Sequence, residues 1–189
     1  WDGMAKVLAV KGGARAGNTM CCLKAEETSA CDVGTEIGVN VLWHPGRGVE
    51  LGDNLKNILL DCISGKIKLD IVVFEGTIVN APGGTGEWNR FAGRPMKDWA
   101  KDLANAATFV VAVGDCATWG GIPATAPNPS DSTGLQFLKR ASGGMLGKEW
   151  KSKSGLPVVN IPGCPAHPDW ITQSVVAIAN GRGGIYVID

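Results

Sequence analysis

The sequence predicts an α/β fold in which a doubly wound parallel sheet is covered on both sides by helices. Two observations carry this. Short β-branched runs alternate with amphipathic helical segments along the whole chain, and several of those runs are apolar throughout, as strands buried on both faces should be. The strands are expected at Met4–Val10, Ile37–Trp43, Leu69–Phe74, Phe109–Val113 and Leu156–Ile161. Between them, Asn18 or Thr19 is placed to cap a helix over Met20–Ala30, and Asp53 to open one to Ser64. Pro95 would open a helix to Ala107, Thr133 one to Arg140, and Pro168 one to Asn180. Strand and helix in this order give a flavodoxin-like three-layer sandwich.

Length and composition narrow the function. The 189 residues suit one domain, and the 44% hydrophobic content can fill its core. Eighteen basic and eighteen acidic residues cancel, which removes the net field that nucleic acid or an anionic membrane would need. The longest apolar run, Ala106–Val113, is far short of the ~20 residues of a membrane helix. Charged residues are 19%, against a usual ~25%, and 27 glycines are about twice the usual share, so part of the surface is expected to be covered by a partner. Six cysteines are too few for a secreted disulfide scaffold, and no leader precedes Met4, so the compartment reads as cytoplasmic.

In open parallel sheets, chemistry collects at the carboxyl ends of the strands. Lys11–Cys22 follows the first strand, Glu75-Gly76-Thr77 the third, Gly114–Gly121 the fourth and Pro162–Trp170 the fifth. These four segments carry Cys21, Cys22, Cys116 and Cys164, four of the six cysteines, on one edge. Thiolates hold iron–sulfur clusters, and neighbouring glycines such as Gly114 and Gly163 let backbone approach the sulfurs. Buried structural thiols are the competing reading of Cys116 and Cys164, but the shared edge and the Gly/Pro settings favour ligation. Zinc is disfavoured because close Cys-x-x-Cys pairs are missing. The first loop is glycine-rich, yet it lacks both the Gly-Lys-Ser/Thr ending and the Gly-x-Gly-x-x-Gly pattern of nucleotide cradles.

Several motifs together resemble a known family. They are Gly-Asn-Thr-Met at 17–20, Ala-Glu-Glu at 25–27, Leu-Trp-His-Pro at 42–45, Phe-Glu-Gly-Thr at 74–77 and Arg-Pro-Met-Lys-Asp-Trp at 94–99. With them stand Gly-Asp-Cys-Ala-x-x-Gly-Gly-Ile-Pro-Ala at 114–124, Pro-Asn-Pro-Ser at 127–130 and Pro-Gly-Cys-Pro-Ala-His-Pro-Asp-Trp at 162–170. This set resembles the small subunit of nickel–iron hydrogenases, in particular the cytoplasmic uptake group of cyanobacteria and actinobacteria. The resemblance implies an electron-transfer subunit whose flavodoxin-like domain binds the proximal iron–sulfur cluster beside a catalytic large subunit. Electrons would leave through a further cluster domain towards an acceptor. The chain ends at Asp189, about where that second domain would begin, so only the first is expected here.

The resemblance also assigns the ligands, with one departure. Cys116 and Cys164 match family ligands, and Gly13, Gly17, Asn18, Gly114 and Gly163 would line the cofactor. Asn18 fits the uptake group and leaves three cysteines, which favours a 3Fe–4S over a 4Fe–4S centre. Arg15, however, stands where the first of those cysteines belongs, and a guanidinium cannot ligate iron. Either Cys21 or Cys22 supplies the missing thiolate through a rearranged loop, or the sequence of this loop is misread. Ala9, Val10 and Lys11 also replace the Trp-Leu-Gln usual there.

The remaining candidates have plain structural readings beside functional ones. Glu75 could put a carboxylate at the subunit interface and aid proton movement, or simply accept loop hydrogen bonds. His167 could meet the partner or orient the Cys164 loop, and His44 has no metal-ligand spacing to it. Cys31 and Cys62 read as structural thiols, and Trp43, Trp99, Trp119 and Trp170 as core or interface anchors. Two other functions compete with the lead: the related cluster-bearing subunit of NADH–quinone oxidoreductases, in which adjacent cysteines such as Cys21-Cys22 occur, and a flavin-binding module.

Overall fold

The computed structural model describes residues 5–11, 39–45 and 49–180, with side chains for 40–45 and 49–180. Five parallel strands form the central sheet: β1 (Ala5–Lys11), β2 (Val39–Trp43), β3 (Ile71–Glu75), β7 (Phe109–Val113) and β11 (Val159–Ile161). Their spatial order is β11-β7-β3-β1-β2, so the order reverses between β1 and β3, as in flavodoxin-like sheets. All five expected strands are present, with ends shifted by up to three residues.

Alternation along the strands sorts the core into two layers. Val72 and Phe74 of β3 and Val110 and Ala112 of β7 face one side, where they pack with α1 (Gly52–Ser64) and α2 (Met96–Ala106) through Leu59, Trp99 and Leu103. Ile71, Val73, Val111 and Val113 face the other, against Ile171, Val175 and Ile178 of α4 (Pro168–Ala179). Strands covered on both faces have no polar side to show, which is why β3 is buried at every position. Trp99 is fully buried, and its indole N–H donates to the Phe91 carbonyl at 2.7 Å, which leaves no polar atom stranded. Cys62 on α1 is a buried thiol in this core, as expected. Trp43 is likewise buried, whereas Trp119 is half-buried against Phe137 and Trp170 is exposed.

Three short two-stranded ribbons stand apart from the central sheet. β4 (Ile78–Val79) pairs antiparallel with β8 (Ser132–Thr133), and β5 (Arg90–Phe91) with β6 (Arg94–Pro95). β9 (Phe137–Leu138) pairs with β10 (Ala141–Ser142).

Two expectations fail here. Thr133–Arg140 is not a helix but the β8 end and the β9–β10 hairpin. Long-range contacts decide it. The Leu135 N–H donates to Ala117 O at 2.8 Å, and buried Gln136 accepts from Val158 N–H at 2.6 Å while donating to Trp150 O at 2.9 Å. Gly134 lies so close to Thr118 that a Cβ would stand 2.2 Å from its carbonyl oxygen. The segment after β7, expected as a loop, instead opens a short helix, α3 (Gly114–Trp119). The helix expected over Met20–Ala30, and Cys31, lie outside the described residues.

Candidate functional site

Register brings the strand ends together. Lys11 of β1 pairs with Glu75 of β3, Glu75 with Val113 of β7, and Val113 with Ile161 of β11. The described segments that follow Glu75, Val113 and Ile161 therefore leave from one edge. Two of them carry described cysteines: Cys116 in the first turn of α3, and Cys164 in the turn between β11 and α4. Cys116 is half-buried and Cys164 exposed, and neither is in a disulfide.

A reciprocal pair of hydrogen bonds ties the two turns. The Asp115 N–H donates to Gly163 O at 2.9 Å, and the Gly163 N–H donates to Asp115 Oδ1 at 2.8 Å. Each partner immediately precedes a cysteine. The backbone bends sharply on both sides, with Gly114 at φ +84° and Gly163 at φ +130°, conformations that disfavour any residue with a Cβ. At Gly163 a Cβ would also meet Ala166 Cα at 2.7 Å.

The Cys116 sulfur has identifiable neighbours. Burial pushes its thiol above the ordinary cysteine range, the charges of Cys164 and Asp115 push the same way, and Glu75 adds to them; the Ile122 N–H, hydrogen-bonded to the sulfur, opposes the shift. Glu75 is itself buried at the end of β3, at the edge from which the Cys116 turn also leaves. Bringing anionic groups to one partly dry sulfur is unfavourable for an empty thiolate site, and a bound cation centre removes that cost.

His167 caps α4, with Nδ1 accepting from the Asp169 N–H at 3.2 Å, and its ring lies 5.9 Å from that of Trp170. It thus fixes the helix that follows the Cys164 turn. His44 is buried elsewhere in the fold. Beside the two cysteine turns stand two exposed apolar side chains, Ile122 and Trp170. Gly13, Arg15, Gly17, Asn18, Cys21 and Cys22 all lie outside the described residues. Among the described residues no three His, Cys, Asp or Glu side chains gather as a metal site, so Cys116 and Cys164 are part of a ligand set at most. The donors present suit iron–sulfur chemistry: two thiols at one edge, glycine at 114, 121 and 163, and an amide N–H on sulfur. Asp115, Gly121 and Ile122 were not singled out from the sequence, although all three sit in the motif around Cys116.

Fold and site together define a flavodoxin-like domain with paired thiols at the carboxyl edge of its sheet. Residues 16–178 match the family profile described as NADH ubiquinone oxidoreductase, 20 kDa subunit, and the chain belongs to that family. Within it, the similarity runs to small subunits of nickel–iron hydrogenases. The F420 non-reducing hydrogenase II small subunit of Methanosarcina mazei is 37% identical over 145 residues, which are 75% of this chain and 36% of that protein. The periplasmic nickel–iron hydrogenase small subunit of Solidesulfovibrio fructosivorans is 29% identical over 67% of this chain and 35% of its own length. The solved actinobacterial-type nickel–iron hydrogenase of Ralstonia eutropha superposes with a TM-score of 0.78 at 29% identity, over 96% of this chain and 55% of that one. The chain thus spans between about a third and about half of these relatives. Among the described residues no helix is long and apolar enough to cross a membrane.

Proposed function

We propose that this chain is the electron-transfer subunit of an uptake nickel–iron hydrogenase, with residues 1–189 forming one flavodoxin-like domain around the proximal iron–sulfur cluster. The single observation that carries this reading is the clamp between Asp115 and Gly163, which holds the Cys116 and Cys164 turns together at one sheet edge. When bound, the cluster supplies reversible one-electron transfer. Cys116 and Cys164 would hold it, and with Arg15 at the position expected for a cysteine, Cys21 or Cys22 would supply a third thiolate, for a 3Fe–4S centre. Gly13, Gly17 and Asn18 complete the cradle from the first loop.

Hydrogen is oxidised in the large subunit, which covers this edge. Ile122 and Trp170 keep water away from the sulfurs there, and Glu75 puts a carboxylate at the interface to aid proton movement. Electrons then pass to a further cluster domain and an acceptor. The compartment proposed is the cytoplasm, with any membrane association made through partners.

The test is iron and acid-labile sulfide content, with electron paramagnetic resonance, on the purified complex. Cys116→Ala and Cys164→Ala should each lose the cluster while the large subunit keeps its nickel. Full iron and sulfide in both variants would overturn the ligand assignment, and structured flavin bands in place of broad brown absorption would favour a flavin module. The family description itself favours a second reading, a subunit of an NADH–quinone oxidoreductase. Reduction of the complex by NADH but not by dihydrogen would select it.

A further inference from the structure

The residue before Cys116 does more than precede it. Asp115 joins the two cysteine turns twice, through its own N–H to Gly163 O and through its carboxylate from the Gly163 N–H. The two bonds close a ring between residues one position before each sulfur, so the separation of the Cys116 and Cys164 turns depends on that side chain. The backbone bond alone is a hinge; the second bond fixes the angle about it. Gly163 in the ring and Gly114 beside it both hold positive φ, which disfavours a side chain at either position.

Asp115 is half-buried and its carboxylate accepts a neutral amide, and among the described residues no Lys, Arg or His forms an ion pair with it. Lys139 and Arg140 line the same open recess of about 550 Å³ as Asp115, Trp119 and Gly121, but without pairing to it. A carboxylate next to a sulfur ligand disfavours the arrival of an electron on the group that the sulfur holds, because reduction adds charge of the same sign.

On the reading given under Proposed function, we propose that Asp115 is a positioning residue for the cluster: its side chain sets the spacing of the Cys116 and Cys164 turns, and its charge lowers the reduction potential of the group they hold. The step it biases is a one-electron reduction, with no bond made or broken. Asparagine separates the two roles, since its side-chain oxygen still accepts from the Gly163 N–H but carries no charge. Alanine removes both.

The experiment uses the complex of this chain with its large subunit, as wild type, Asp115→Asn and Asp115→Ala. It measures iron and acid-labile sulfide, and the midpoint potential by dithionite titration followed by electron paramagnetic resonance. Asp115→Asn should keep wild-type iron and sulfide and shift the midpoint to more positive potential. Asp115→Ala should lose most of its iron. An unchanged midpoint in Asp115→Asn overturns the electrostatic role, and full iron with a wild-type spectrum in Asp115→Ala overturns the clamp. Wild-type complex without iron and sulfide would remove the parent reading and this inference with it. A wild-type cluster that is indifferent to both variants removes the inference alone.

Discussion

Gly121 stands against Cys116 so closely that a Cβ at residue 121 would lie 2.5 Å from the Cys116 sulfur and 3.0 Å from its Cα. Its φ of +58° is a second reason for glycine. The next residue, Ile122, offers its backbone N–H to that sulfur, which favours the thiolate over the thiol. Gly121→Ala should therefore displace the Cys116 side chain, at a cost of about 1–3 kcal/mol from overpacking and backbone strain. The expected result is a lower melting temperature and a reduced iron content in the purified complex, both measured against wild type.

Chemical reactivity should separate the two cysteines of the sheet edge. In this chain free of cluster and partner, Cys164 is exposed, while the Cys116 thiol is half-buried and pushed up in pKa by burial, Cys164 and Asp115. Iodoacetamide reacts with thiolate, so Cys116 should alkylate more slowly than an unstructured cysteine at neutral pH, with a rate that keeps rising beyond the ordinary cysteine range. The sign for stability follows. A folded-state pKa above the unfolded one favours the fold at pH below the unfolded value, and that contribution is lost as pH rises through the folded value. Mass spectrometry of alkylated peptides against pH checks the reactivity.

Gln136 should be a stability residue with no role at the cysteines. It is buried, accepts from Val158 N–H at 2.6 Å, and donates to Trp150 O and Gly147 O at 2.9 and 3.3 Å. Gln136→Ala leaves those backbone groups unmatched, at about 1–3 kcal/mol for a buried orphan. For a chain of this size each kcal/mol lowers the melting temperature by roughly 2–4 °C. The complex that remains folded should keep its wild-type iron-to-protein ratio.

Assembly should depend on the apolar rim. Ile122 is 82% exposed and Trp170 56% exposed, an unfavourable state for such side chains unless a partner covers them. Ile122→Glu and Trp170→Glu should each weaken co-purification with the large subunit severalfold, and more so in combination, while leaving the far-ultraviolet circular dichroism of this chain unchanged. Equal recovery of the complex from all variants would place the interface elsewhere.

The sequence by itself determined the sheet, its five strands, and that Glu75 and the turns carrying Cys116 and Cys164 follow strand ends at one edge. Strand alternation and the apolar runs at 71–74 and 109–113 are local signals, and a parallel sheet of crossovers has few alternatives once they are read. That reading put Glu75, Cys116 and Cys164 at one edge before any coordinate. It failed at Thr133–Arg140, where helical spacing was overridden by bonds reaching from residue 135 to 117 and from residue 136 to 158. It also left Cys116 in a loop, because a six-residue helix has too few turns to show a period. Tertiary structure alone decided that Asp115 is bonded to Gly163, 48 positions away, and that Gly121 presses on the Cys116 sulfur. Those contacts depend on the angle at which two strands end and two turns depart. That angle is set by the packing of the whole sheet against its helices, and no stretch of sequence encodes it locally.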